Sequence, residues 1–219
     1  MINRFSISIF TVIILQLVAL SSVAQESTLL LRNGKKLTIN SYVVDTADYY
    51  NGKISYVTLK GKEKNKYLED VFSVVDKDGS ETILYKPNAE LGEILTPAQM
   101  KEYTSGIGDA RIDKISPLIG IGAVASGLAG AFVPQPQIKM GDSQMGIPIG
   151  ILVPIAYTAT IGETTPKDNK LKQQLPDKAN NVHYLMGYQE GVKRKRIKHS
   201  LIGASIGFVT GFIIATSVN

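Results

Sequence analysis

Residues 187–219 read GYQEGVKRKRIKHSLIGASIGFVTGFIIATSVN. Five of the six residues from Lys193 to Lys198 are basic, and no Lys, Arg, Asp or Glu follows them. Gly203, Gly207 and Gly211 recur at every fourth position. Four residues of α-helix advance by about 400°, so these glycines form one stripe. Their missing side chains leave a groove that another helix can enter closely. Ile202, Ile206, Val209 and Phe212 to Ile214 supply apolar bulk elsewhere. From Leu201 to Val218 such a helix is roughly 27 Å long, close to a hydrocarbon core of about 30 Å. The pattern predicts a membrane helix with Gly203, Gly207 and Gly211 as packing positions. Lys193, Arg194, Lys195, Arg196 and Lys198 are expected to anchor it among anionic head groups.

The opposite end sets the expected compartment. MINRF carries one basic residue, SISIFTVIILQLVALSS is an apolar core, and SSVAQ offers small residues before a cleavage point after Ala24. This is the three-part form of a secretory signal peptide, with the mature chain starting near Gln25. An uncleaved anchor is the competing reading, but the apolar run is short for a span of about 20 residues. The chain has no cysteine, so disulfides, thiolate metal sites and cysteine nucleophiles are all excluded. The net charge of +5 is unevenly spread. Residues 25–110 hold 11 basic and 13 acidic side chains, whereas 162–200 hold 9 and 4. No aromatic residue interleaves the basic run, which argues against nucleic acid as a partner.

STLLLRNGKKLTINSYVVD reads as two strands joined at Asn33-Gly34, a pair that readily takes the positive φ of a tight turn. KISYVTLKG follows, with Ile54 and Tyr56 on one face. VFSVVDKDGSETILYK is a second hairpin around Asp76 to Gly79, and the intervening GKEKNKYLED reads as a polar loop leading into a short strand. The expectation is a bent antiparallel sheet or partly closed barrel. The order resembles SH3-like or Sm-like small barrels, which implies a shape and a capacity to bind peptides or partner proteins. Tyr42, Tyr49, Tyr50, Tyr56, Tyr67 and Tyr85 either pack on the sheet or form an aromatic binding face.

After Pro87, Thr96 and Pro97 mark a helix start, and Gly106 and Gly108 are expected to break or bend that helix. Asp109, Arg111, Asp113 and Lys114 read as a solvated ion-pair collar. Residues 115–133 and 146–162 carry no charge and are joined by a short polar turn, which predicts an antiparallel helical hairpin with a kink at Pro154. The fold class is therefore α+β, a small antiparallel β-domain followed by three apolar helices. Its expected parts are a signal peptide over 1–24, the β-domain over 25–87 and a linker with a membrane-proximal helix over 88–114. The apolar hairpin follows over 115–162, a polar loop over 163–192, and the basic run with its glycine-striped helix over 193–219.

NNVHYLMGYQEGVKRKRIKHSLIGASIG contains a Y..GY pair, Tyr184 and Gly187-Tyr188, ahead of the basic run and the glycine-rich segment. In this the chain resembles uncharacterised exported proteins of the Bacteroidota type, as do ILTPAQMKEYTSGIGDA and GIPIGILVPIAYTATIGETTP. That resemblance implies no catalytic residue. His183 and His199 lack carboxylates at ligand spacing, and no phosphate-cradling glycine loop is present. No catalytic, metal or cofactor-binding residue is assigned, and no enzyme is expected. Two functions remain. One is a non-enzymatic envelope protein, its β-domain on the exported (periplasmic) side, with membrane lipids and an envelope protein or its own copies as partners. The other is a subunit of a pore or transport oligomer.

Overall fold

A computed structural model describes residues 26–45, 52–134, 137–140, 143–146, 149–164, 171, 178 and 180–217. The expected signal peptide, Tyr49 and Tyr50 lie outside them. The described residues form two compact units: a sheet ending at Lys86, and a helical unit from Pro87 onward that also takes in Arg32–Lys35.

The sheet has six antiparallel strands: β1 (Ser27–Leu31), β2 (Lys36–Val44), β3 (Lys53–Thr58), β4 (Glu63–Tyr67), β5 (Val71–Val75) and β6 (Glu81–Ile83). Their spatial order is β4-β3-β2-β1-β5-β6. The sheet is open, with β4 and β6 as its edges. Both expected hairpins form, β1–β2 across Arg32–Lys35 and β5–β6 across Asp76–Ser80. Gly34 takes φ 75° and Gly79 φ 86°, a region closed to most side chains. Register shifts at Leu30/Leu31 and Ile39/Ser41 bend the strands locally. Leu29, Leu31, Ile39, Ile54, Val71 and Val74 fill the core.

One expectation about this unit changes. Glu63–Tyr67, read as polar loop, is strand β4, paired with β3 from Lys53↔Tyr67 to Val57↔Glu63. An edge strand needs hydrogen bonds on one side only and tolerates charge, so EKNKY has no apolar alternation to betray it. Of the tyrosines, Tyr56 and Tyr85 are buried, whereas Tyr67 is half exposed with Lys53 Nζ 5.1 Å above its ring. Tyr42 is partly buried against the same core, so packing accounts for three of them.

The helical unit holds α1 (Pro97–Ile112), α2 (Pro117–Ala131), α3 (Leu152–Glu163) and α4 (Val182–Ser217), with strands β7 (Gln137–Met140) and β8 (Ser143–Gly146) paired between α2 and α3. Thr96 caps α1 through the Gln99 amide, and the Gln99 side chain returns the bond to the Thr96 N–H. Neither Gly106 nor Gly108 breaks α1, because a helix packed along its face overrides the weak preference of two glycines. The turn expected between α2 and α3 contains a β-hairpin. Pro154 falls in the first turn of α3, which starts at Leu152 after a 3-10 turn over Ile149–Ile151. Its missing N–H therefore interrupts no i→i−4 bond within α3, rather than breaking the middle of the helix.

The largest difference concerns α4. It is one helix of 36 residues beginning at Val182, so eleven residues expected in a loop are helical and the basic run lies mid-helix. Among the described residues, only α4 is long and apolar enough to cross a membrane on its own, with a mean hydropathy of 1.7 in its best window. The pair α1 and α2 reaches that standard only jointly, through a 76° bend, and α3 is a shorter apolar helix. At about 1.5 Å per residue, the 15 residues of α2 reach about 22 Å and the 12 of α3 about 18 Å.

Candidate functional site: the seams and basic belt of α4

A period of four runs further along α4 than the three expected glycines. Positions 187, 191, 195, 199, 203, 207 and 211 are Gly, Gly, Lys, His, Gly, Gly and Gly. The first two glycines receive α1. A methyl group on Gly187 would sit 2.0 Å from the Tyr103 carbonyl oxygen, and one on Gly191 2.7 Å from Ala110 Cβ. Gly106 reciprocates, with the Tyr184 carbonyl oxygen 2.2 Å from where its Cβ would be. The last three receive α2. A Cβ on Gly203 would meet Ala123 at 2.9 Å, one on Gly207 the Val124 oxygen at 2.1 Å, and one on Gly211 Ala131 at 2.6 Å. From α2, Gly127 faces the Ala204 oxygen at 2.1 Å. Residue numbers rise together on both partners, so α1 and α2 both run parallel to α4.

Between the two seams the chain must leave α1 and start α2, and Lys195 covers that break. Its ammonium donates to the carbonyls of Arg111 (2.7 Å) and Asp113, at the C-terminal end of α1. Positive charge belongs there, because the last carbonyls of a helix lack intrahelical donors and carry its negative pole. A second helix end meets the same belt. Lys193 pairs with Glu163 at 2.8 Å, and Arg196 donates to Thr164 Oγ1 at 3.1 Å, both at the end of α3. Arg194 pairs along its own helix with Glu190 at 2.6 Å. Lys198 is exposed. The expected anchor residues therefore divide, three fastening helix ends and two facing outward.

The charged collar also resolves differently from its expectation. Asp109 accepts from Tyr184 Oη at 2.8 Å and from Lys178 Nζ at 2.7 Å, and Asp113 accepts from Tyr188 Oη. These carboxylates are the acceptors for the Y..GY pair. Tyr184 and Tyr188 are buried with ring centroids 6.4 Å apart, beside Leu171 and Ala110. Burial, and then the bond to Asp109, raise the Tyr184 phenol above the ordinary tyrosine range. Sequence reasoning missed this pairing because the partners lie 75 residues apart. The spacing of four from Gly187 to Gly211 was the available signal for the longer seam. Among the described residues, Thr104 Oγ1 and His183 Nδ1 are buried without hydrogen-bond partners, and no cluster of three metal-ligating side chains occurs.

α3 runs antiparallel to α4. Thr158 accepts from Ser200 Oγ at 2.9 Å, and Gly162 lies against Ile197. It is also antiparallel to α2, with Tyr157 Oη donating to the Ile119 carbonyl at 3.1 Å and Gly150 against Gly130. The beginnings of α2 and of the uncharged part of α4 thus share one end with the end of α3. Inside this three-helix region are glycine, alanine, serine and threonine, with Pro154. Outside are Leu118 (74% exposed), Ile121 (64%), Ile206 (58%) and Ile213 (58%). Only 28% of the most apolar window of α4 is buried.

No protein-family model, curated protein sequence or solved structure matches this chain.

Proposed function

We propose that this protein is a non-enzymatic membrane-anchored component of a cell envelope, with its β-sheet unit on the exported side as an interaction module. One observation carries the reading: the α2–α3–α4 region buries its small residues and exposes its large aliphatic ones. Water would penalise that distribution by about 25 cal/mol for each Å² of apolar surface. Lipid removes the penalty, and small residues then serve close packing between helices. A core helix of a soluble protein would have the opposite pattern.

In this reading the signal peptide exports the β-unit, whose neighbour order, β1 between β2 and β5, suits an opened small barrel of the SH3-like or Sm-like kind. The resemblance to exported Bacteroidota-type proteins fits the same compartment. Envelope proteins or further copies of the chain are the partners of the sheet unit. The glycine stripe is filled by the chain's own α2, so association between copies uses other surfaces.

Topology tests the reading, and the natural lack of cysteine makes labelling clean. Single cysteines at Ser55, Ser143 and Asn180 are probed in cells with the outer barrier permeabilised. Ser55 and Asn180 should react alike and Ser143 should differ, because α2 and α3 form an antiparallel pair. Equal labelling of all three, with the protein released from membranes by alkaline carbonate, would overturn membrane anchoring.

A further inference from the structure

A groove of about 270 Å³ runs along the outer side of the α3–α4 contact. Ile151, Pro154 and Ile155 form one wall, and Leu201, Phe208 and Val209 the other. From Leu201 to Val209 it extends about 12 Å along α4 at ~1.5 Å per residue, within the roughly 15 Å of a single leaflet. Ala204 and Ser205 complete the lining, and Ser205 satisfies its hydroxyl on the Leu201 carbonyl of its own helix, so the groove offers hydrocarbon contact and no polar claim.

The end of the groove is different. Lys198 precedes Leu201 by three residues and Ser205 by seven, which places all three on one helix face. Lys198 is exposed and has no ion-pair partner among the described residues. The belt as a whole is short of anions. Among the described residues its five cations meet two carboxylates, Glu163 and Glu190, held by Lys193 and Arg194. An occupant that matches both features must carry a hydrocarbon chain and, one helical turn beyond it, a negative charge.

We infer that the α3–α4 groove is a binding site for an anionic phospholipid, with an acyl chain between Ile155 and Leu201 and the phosphate at Lys198. This rests on the membrane reading above and adds a specific lipid class to it. The neighbouring Arg194 lies one turn further along the same face and extends the positive field toward a head group.

The test uses the full-length chain in detergent, with phosphatidylglycerol or phosphatidylcholine added and bound lipid counted by native mass spectrometry. Flotation with phosphatidylcholine vesicles reports insertion separately. Phosphatidylglycerol should bind more tightly than phosphatidylcholine. Lys198→Gln should weaken phosphatidylglycerol about five-fold, as expected for one surface lysine, without changing phosphatidylcholine. Lys198→Arg should restore the preference. Ser205→Phe, which fills the groove from an exposed position away from α2, should weaken both lipids several-fold. If Lys198→Gln and Ser205→Phe leave both lipids unchanged while the protein still floats, the site is refuted and the membrane reading stands. Failure of the wild-type chain to float would refute both.

Discussion

Two glycine-to-alanine substitutions that look alike in the sequence should move stability in opposite directions. At Gly207 the added Cβ would lie 2.1 Å from the Val124 oxygen, 2.9 Å from its carbonyl carbon and 3.0 Å from its Cα. These are backbone atoms of α2 and cannot rotate aside, so the helices must part by about 1.4 Å to reach the ~3.5 Å of ordinary contact. A radial gap of 0.5–1 Å forfeits about a quarter to a half of each dispersion contact, and overpacking costs about 1–3 kcal/mol, with about 2–3 kcal/mol expected here because the obstructing atoms are backbone. Alanine returns about 1 kcal/mol through its better helix propensity. Gly207→Ala should therefore be destabilising by about 1–2 kcal/mol. At Gly120 nothing lies within 4 Å of the added Cβ, so only the propensity gain of about 1 kcal/mol remains. The two variants should differ by about 2–3 kcal/mol, which for a chain of this size is about 4–12 °C in Tm. Circular-dichroism melts of the purified protein in detergent measure it directly. If Gly207→Ala melts at or above Gly120→Ala, α2 does not lie on the glycine stripe and the packing argument fails.

Other consequences follow from the α1–α4 contact. Tyr184→Phe removes the hydroxyl bond to Asp109, which keeps Lys178, so the loss should be about 1 kcal/mol at neutral pH. The folded-state pKa of Tyr184 is raised, so its contribution is full below the unfolded value of 10.0 and is lost as pH climbs beyond it. Urea unfolding above pH 10 should show a shallower alkaline decline in Tyr184→Phe than in the wild type, and an identical decline would disprove the burial of that phenol. Lys195→Met removes the cation from the C-terminal carbonyls of α1 and should cost about 1 kcal/mol. Hydrogen exchange should then quicken around residues 110–116 and remain unchanged in α2; equal rates throughout would mean that Lys195 does not hold the break.

Local signals carried much of this architecture. Asn33-Gly34 and the Asp76–Gly79 turn announce hairpins because positive φ is a property of the residue itself. Thr96, Pro97 and Gln99 announce the start of α1 because a capping box closes within four residues. The uncharged run after Lys198 and its glycine period are likewise visible without a fold. What these signals leave undecided is whatever depends on a distant partner. β4 is a strand because β3 supplies its hydrogen bonds, although its own side chains favour water. α1 continues through Gly106 because α4 packs against it there, which offsets the roughly 1 kcal/mol that a glycine costs a helix interior. Residues 182–192 join α4 because Tyr184 and Tyr188 are buried beneath α1 and bonded to Asp109 and Asp113. Lys195 is one of five cations in the basic run, and only the juxtaposition of its ammonium with the open carbonyls of α1 distinguishes it from Lys193 and Arg196, which hold the end of α3. Turn, cap and hydropathy are decided over a few residues, whereas close packing and the pairing of buried polar groups are decided by elements that only the tertiary fold brings together.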